Sequence, residues 1–259
     1  MDDRYVEQLR LAEVKLALAE LRQKKPPGSA IIEIGGGAGW QARALSEAGY
    51  AVRSFDLPNS QFSATRVFAI EDYDGRHIPA ADASFDAAFS SNVLEHIADG
   101  DAFQAELQRV LKLDAVAVHI VPSATWRLYT SLAHYPWLIK AALDLVRHRG
   151  GPMRSADAEI VACAAQKRTK PQLLSRILWS PRHGETGNAL SEVWYFSRHS
   201  WTRFFERTGW QILSCYSNGL YYTGYGLLND KLSVAARQRL SRLLGSSCHI
   251  YVLGRRAHS

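Results

Sequence analysis

Apolar and polar positions divide this chain into two periods, one helical and one strand-like. Over 3–24, Val6, Leu9, Leu16 and Leu21 recur among charged residues at helical spacing, and Pro26-Pro27-Gly28 stops the run. Next comes the short apolar run Ala30–Ile34, then a glycine loop at 35–39 and a helical stretch through Ala48. Further strands are predicted over 50–55, ending at Asp56, then over 66–70, 85–90 and 115–121, the last closed by Pro122. Helix-like segments at 92–98 and 101–111 separate the fourth strand from the fifth. Strand, helix, strand at this spacing predicts an α/β fold with a mostly parallel sheet and helices on both faces. Right-handed crossovers would bring the loops after the strands to one edge, where such sheets bind ligands.

The rhythm breaks at 122–199, a segment rich in Trp, Tyr, His, Arg and Pro. It resumes with a helix over 200–208, capped by Ser200, strands over 210–216 and 249–253, and a helix over 230–244 between them. The count is then a seven-stranded, Rossmann-like sheet with a mainly helical insertion after the fifth strand. Three parts follow: a core with an N-terminal helix at 1–122, an aromatic, basic insertion or lid at 123–199, and a completion of the sheet at 200–259. Within the insertion a short helix is predicted over 137–149. Lys140, Asp144, Arg147 and His148 share one of its faces, and Leu138, Ala141, Ala142 and Leu145 occupy the rest.

With 47% hydrophobic and 22% charged residues in 259, the composition excludes disordered, collagen-like and disulfide-scaffold chains. Cys163, Cys215 and Cys248 form no C-x-x-C pair and read as thiols of a reducing cytoplasm. The first thirty residues lack the apolar block of a signal peptide, and no run of apolar residues is long enough for a membrane span. The net charge of +6 is uneven: residues 1–125 hold 12 Lys/Arg against 18 Asp/Glu, whereas residues 126–183 hold 10 against 3. A basic, aromatic segment at 126–149 suits an amphipathic or acidic acceptor, such as a glycan- or lipid-linked one, or peripheral contact with the inner face of a membrane. Nucleic acid is the competing use of that charge, but no nucleic-acid module is present.

The most informative stretch is Glu33-Ile34-Gly35-Gly36-Gly37-Ala38-Gly39-Trp40, a strand running through glycines into a helix. Glycines there permit a sharp turn and the close approach of a ligand. Gly37 to Ala42 also satisfies the G-x-G-x-x-A dinucleotide pattern, which keeps a nicotinamide-dependent oxidoreductase open. Glu33 points elsewhere, because an acidic residue before the glycines suits an amino-group partner and repels a pyrophosphate. Pairing with the loop's own amides is the alternative use of Glu33.

Three further segments carry a resemblance. Ser54-Phe55-Asp56-Leu57 ends the second strand on an acidic residue. Tyr73-Asp74-Gly75-Arg76-His77-Ile78-Pro79 spaces Asp74 five residues from Pro79. Ala83 to His96 closes in Ser91-Asn92-Val93-Leu94-Glu95-His96. Together with the glycine loop, these segments resemble the class I S-adenosylmethionine-dependent methyltransferases of the small-molecule branch, over roughly residues 28–122. The resemblance implies S-adenosylmethionine as cofactor, with Asp56 on the ribose hydroxyls and Asp74 on the adenine amine. Glu33, Gly35, Gly37, Gly39, Gly75 and Asn92 would complete the cofactor site. The usual Pro-Gly-Gly turn before the fifth strand is replaced by Lys112-Leu113-Asp114-Ala115, a change confined to a surface turn. Trp40 is larger than the family's usual residue.

Methyl transfer from a sulfonium is a direct displacement, so the enzyme chiefly aligns nucleophile, methyl and sulfur in a dry site. A base is needed only for an alcohol or another weakly acidic acceptor. His183, in the polar loop 181–188, is the first candidate, with Glu185 holding its tautomer, and a plain surface loop is the alternative. His96 is a second candidate, and Glu192 and His134 are weaker ones. No metal is expected: a catechol-type mechanism would cluster acidic ligands at the end of the fifth strand, and Asp114 begins it. The resulting expectation is transfer to a hydroxyl of a small-molecule, glycan- or lipid-linked acceptor. Nitrogen or carbon acceptors stay open, as does a catalytically silent relative that binds a protein. The oligomeric state has no signature in the sequence.

Overall fold

The computed structural model describes residues 3–60, 62–147, 180–225 and 231–256. In chain order the helices are α1 (Asp3–Lys24), α2 (Trp40–Glu47), α3 (Gly100–Val110), α4 (Ala124–Arg147), α5 (Ser191–Tyr195), α6 (Arg198–Arg207) and α7 (Val234–Leu244). The strands are β1 (Ala30–Ile34), β2 (Ala51–Asp56), β3 (Ile70–Asp72), β4 (Phe85–Ser91), β5 (Leu111–Pro122), β6 (Trp210–Ser217) and β7 (Cys248–Arg255). They form one sheet in the order β3-β2-β1-β4-β5-β7-β6, parallel except for β7, which runs antiparallel to both β5 and β6. The expected Rossmann-like, seven-stranded sheet is therefore present. Ile31, Ile32 and Ile34 on β1 and Ala87, Ala88 and Phe89 on β4 are all buried, as strands covered on both faces must be.

Strand order reverses between β1, which continues to β2 and β3, and β4, which continues to β5. Loops leaving these strands share one edge, and the crevice at the reversal is where such sheets receive ligands. α1 lays Tyr5, Leu9, Val14, Ala17, Leu18 and Leu21 into the core.

Several elements differ from expectation. The third strand lies at Ile70–Asp72, not 66–70, because the residues before it cross the glycine loop. Val67 donates its N–H to the Ala38 carbonyl at 2.8 Å, and Phe68 packs on Gly39. β5 starts at Leu111, four residues early, paired to Phe85 before a register shift, with Lys112 and Asp114 turned to Asp86 and Lys25. The segment 92–98 yields only a 3-10 turn, Leu94–His96. Ser197 caps α6 and accepts from Ser200, so the cap sits three residues before the expected one. Ser233 caps α7, which begins later than 230.

α4 begins at Ala124, well ahead of 137, and continues through Pro136. Of its expected polar face only Lys140 falls among the described side chains, and it is exposed. Leu128, Leu132, Tyr135, Ile139 and Leu143 are all exposed, alongside Lys140. The side chains of Ala141, Ala142, Asp144, Leu145 and Arg147, and all of His148, lie outside the described residues. So does Cys163, while Cys215 and Cys248 are free thiols. Among the described residues, no helix is long and apolar enough to cross a membrane.

Candidate active site

The turn after β1 is built on backbone that side chains resist. Gly35, Gly37 and Gly39 have φ of 76°, 56° and 86°, and Gly39 opens α2. At Gly36 the constraint is space, since a Cβ there would overlap Ser54 Oγ. Asp56, at the end of β2, accepts the Gly37 N–H through Oδ2 and the Leu57 N–H through Oδ1, both at 2.8 Å. A carboxylate offers about four acceptor positions, so two stay available toward the cavity. That cavity, about 860 Å³, runs along the sheet edge and is lined by Gly35, Gly37, Asp56, Asp74, Gly75 and Asn92 among others.

Glu33 does not line it. Its carboxylate is buried beneath the loop, accepts from Ser54 Oγ at 2.5 Å and packs under Gly36. Burial pushes its pKa up to about 8, with Asp56 adding to the rise and Ser54 opposing it. Near neutral pH it holds a proton, so the argument that its charge repels a pyrophosphate lapses.

Asp74 uses one oxygen, Oδ1, to accept the N–H groups of Arg76 and His77 at 2.8 and 2.7 Å, which holds its pKa below the ordinary value. Asn92 holds φ at 55°, a strained conformation for a residue with a side chain, while its N–H reaches the Ile120 carbonyl. Trp40 meets the ring of Phe62 edge-on, and both face the cavity.

At the other end of the cavity the turn after β4 meets the loop before α5. The rings of His96 and His183 stand 4.6 Å apart, and Trp126 of α4 packs on His183 at 4.5 Å. Desolvation is the main force holding His96 below the ordinary histidine value, while Glu95 pulls it upward. The carboxylate beside both imidazoles is Glu95, with Oε1 3.9 Å from His96 Nε2 and 3.8 Å from His183 Nε2. Glu185, expected to hold His183, instead gives its N–H to the Glu95 carbonyl and turns its carboxylate toward Arg182. It is separated in sequence from His183 by only one residue, Gly184, where an added Cβ would stand 2.7 Å from the Glu95 carbonyl oxygen.

Both oxygens of the Glu192 carboxylate are already engaged. Its Oε1 accepts the N–H groups of His183 and Gly184, and Oε2 pairs with Arg127 at 2.7 Å in a fully buried ion pair. His134 is buried too, bonded to the Tyr225 hydroxyl. α1 supplies lining residues that sequence reasoning missed, Tyr5 and Arg10. Arg10 pairs with Glu13 at 2.7 Å, and Glu13 also accepts from Asn218 and Tyr222. The signal available was Glu13 itself, a carboxylate on the apolar side of the helix.

The family model described as a methyltransferase domain matches residues 5–215. A methyltransferase from Mycobacterium bovis (strain BCG / Pasteur 1173P2), itself uncharacterized, is 29% identical over 141 residues, 50% of this chain and 55% of that one. The chain thus spans about half the length of the curated relatives it matches. In fold it is similar to an S-adenosylmethionine-dependent methyltransferase from Mesorhizobium loti, with TM-score 0.51, 17% identity, and coverage of 92% and 96% of the two chains. It is also similar to the 1,6-didemethyltoxoflavin-N1-methyltransferase of Burkholderia thailandensis, which holds that compound and S-adenosylhomocysteine. There the TM-score is 0.54 and the identity 12%, over 99% of this chain and 82% of that one. The cradle fits a donor that presents ribose hydroxyls, because Asp56, after accepting the Gly37 and Leu57 N–H groups, keeps acceptor capacity for them. On the family match, the sheet order and that cradle, the chain belongs to the class I S-adenosylmethionine-dependent methyltransferases.

Proposed function

We propose that the chain methylates a hydroxyl oxygen of a small-molecule acceptor. S-adenosylmethionine, when bound, supplies a methyl group made electrophilic by its sulfonium. Asp56 would hold the ribose hydroxyls, and the second oxygen of Asp74 the adenine amine. Gly35, Gly37, Gly39 and Gly75 would allow the backbone to come close, and Asn92 lines the same cavity. Glu33 works from beneath, keeping Ser54 and the loop in place, not as the direct partner of an ammonium.

One observation carries oxygen as the acceptor atom: two imidazoles, half open to the cavity, stand over a buried carboxylate. An amine acceptor arrives with its own lone pair and needs no such group, whereas a hydroxyl must lose a proton. His183 and His96 are the groups that would handle it, with Glu95 in the place first given to Glu185. The test supplies methyl-labelled donor with paired hydroxyl and amine acceptors. Label in a methyl ether is expected, and His183→Ala should cut turnover at least a hundredfold while donor affinity holds. Label on nitrogen or carbon, or normal turnover in the variant, would refute the reading.

A second observation bears on the acceptor's character. The exposed apolar stripe of α4 beside a basic segment favours a lipid-linked acceptor met at a membrane surface.

A further inference from the structure

We propose that Glu95, His96 and His183 bind one first-row divalent cation, whose open positions face the donor cavity and receive the acceptor's hydroxyl oxygen. The role of the cation rests on the oxygen-methylation reading; the site itself stands on geometry. One carboxylate oxygen and one nitrogen from each imidazole lie within 4.8 Å of one another. A tetrahedral cation with bonds of about 2.1 Å sets its ligands roughly 3.4 Å apart, so closure draws the carboxylate in by about half an ångström and the widest pair of ligand atoms together by up to about 1.4 Å, within reach of side-chain rotation. The present separations of 3.8 and 3.9 Å from Glu95 to the two nitrogens are too long for hydrogen bonds. The three groups face a common point without satisfying one another.

The independent sign is the carboxylate. The Glu95 side chain is 0% exposed, and neither of its oxygens has a hydrogen-bond partner among the described residues. A buried carboxylate without a partner is costly, and a cation is the partner that relieves it. The imidazoles are 43% and 36% exposed, which leaves coordination positions on the cavity side. The support that ligands need is also present. Glu192 clamps the backbone at His183 and Gly184, and the Glu185 N–H ties that loop to the Glu95 carbonyl at 3.0 Å. Two imidazoles and one carboxylate suit zinc, manganese, iron(II) or cobalt(II), in preference to magnesium or calcium. With their ring nitrogens on the cation, His96 and His183 would serve as ligands in place of bases; the cation would acidify the bound hydroxyl, whose O–H bond breaks and whose proton leaves to solvent. The O–C bond then forms as the S–C bond breaks, and the electron pair of that bond stays on sulfur. Nothing is oxidised.

The experiment titrates cobalt(II) into the full chain after dialysis against a chelator, following visible absorption and equilibrium dialysis. One cobalt per chain is expected, displaced by zinc, with Glu95→Gln and His183→Gln each weakening it at least tenfold. Unchanged donor affinity in both variants would show that they fold. Absence of saturable binding, or variants that bind as tightly as the parent, would overturn the site. Methylation assays separate the two ideas. Cobalt bound at these residues with label on nitrogen supports the site and removes the oxygen reading. Label on oxygen at equal rates in stripped and loaded protein overturns the cation and leaves that reading intact.

Discussion

Gly37 gives its backbone N–H to the Asp56 carboxylate at 2.8 Å, so the end of β2 sets the shape of the loop after β1. Asp56→Ala should therefore act twice, by removing an acceptor for the donor's hydroxyls and by releasing the loop. Charge-assisted hydrogen bonds contribute about 1.5–3 kcal/mol, which corresponds to roughly 10- to 150-fold in affinity. Calorimetry with S-adenosylhomocysteine measures it, and unaltered affinity would take Asp56 out of the site.

Glu33 makes stability depend on pH. Its pKa is about 8 in the fold, raised by burial, against an ordinary 4.5, so between those values the folded chain keeps a proton that the unfolded chain has released. Its contribution is full below pH 4.5, falls as pH rises through the window, and is gone above about 8. The slope reaches at most about 1.4 kcal/mol per pH unit. Glu33→Gln removes that slope. Urea unfolding at pH 5, 6.5 and 8 should show the variant gaining on the parent as pH rises, by a few kcal/mol in all. Parallel profiles would mean that Glu33 is ionised in the fold.

How much was legible beforehand follows from where the information sits. Ile31, Ile32, Ile34, Phe89 and Val118 are local apolar runs, and the sheet they build could be read directly. The glycine loop and Asp56 could be read too, since turn chemistry and spacing are local. Glu33 was placed correctly in sequence and wrongly in space, because period-two alternation does not say which side of a loop a strand's last carboxylate faces. The approach of Glu95 to His183 spans 88 positions and depends on how the loop before α5 meets the turn after β4, which no local period encodes. Arg10 was hidden for the same reason: a charged residue on an amphipathic helix looks solvated until its neighbours are known.

Arg127 and Glu192 are each 1% exposed and form a 2.7 Å pair that holds the His183 loop. Removing one partner strands the other charge, a loss of about 3–5 kcal/mol. Arg127→Met should lower the unfolding free energy measured in urea by that amount and reduce turnover. Adding Glu192→Gln to it should restore part of the stability, because no buried charge is then left alone. Additive losses in the double variant would show that the pair is not coupled.

Gly184 has no room for a side chain, since a Cβ would stand 2.7 Å from the Glu95 carbonyl oxygen. Gly184→Ala should push the His183 loop off the turn after β4. Turnover should fall at least tenfold, while binding of S-adenosylhomocysteine, whose contacts lie at the other end of the cavity, stays within twofold. An equal loss of both would mean that the whole cavity, not the loop alone, responds.

The stripe on α4 leads to a prediction about where the protein works. Leu128, Leu132, Tyr135, Ile139 and Leu143 follow one another at intervals of three and four residues, so they lie along one side of the helix. Their exposures run from 46% to 63%, values unusual for five consecutive members of a helical stripe. Residues 126–183 carry 10 Lys/Arg against 3 Asp/Glu; with Arg127 spent in its buried pair, the excess of positive charge in this stretch of sequence would still add attraction to an anionic surface. An apolar side chain sunk part-way into the interface contributes about 1 kcal/mol, below the value for full burial. Leu132→Ser with Ile139→Ser should then weaken sedimentation with vesicles of phosphatidylglycerol and phosphatidylcholine about 30-fold. High salt should weaken it independently by screening the basic residues. The same double variant should methylate a water-soluble acceptor at the parental rate, because neither residue lines the cavity. If the parent chain fails to sediment with anionic vesicles at all, the stripe serves some contact other than lipid.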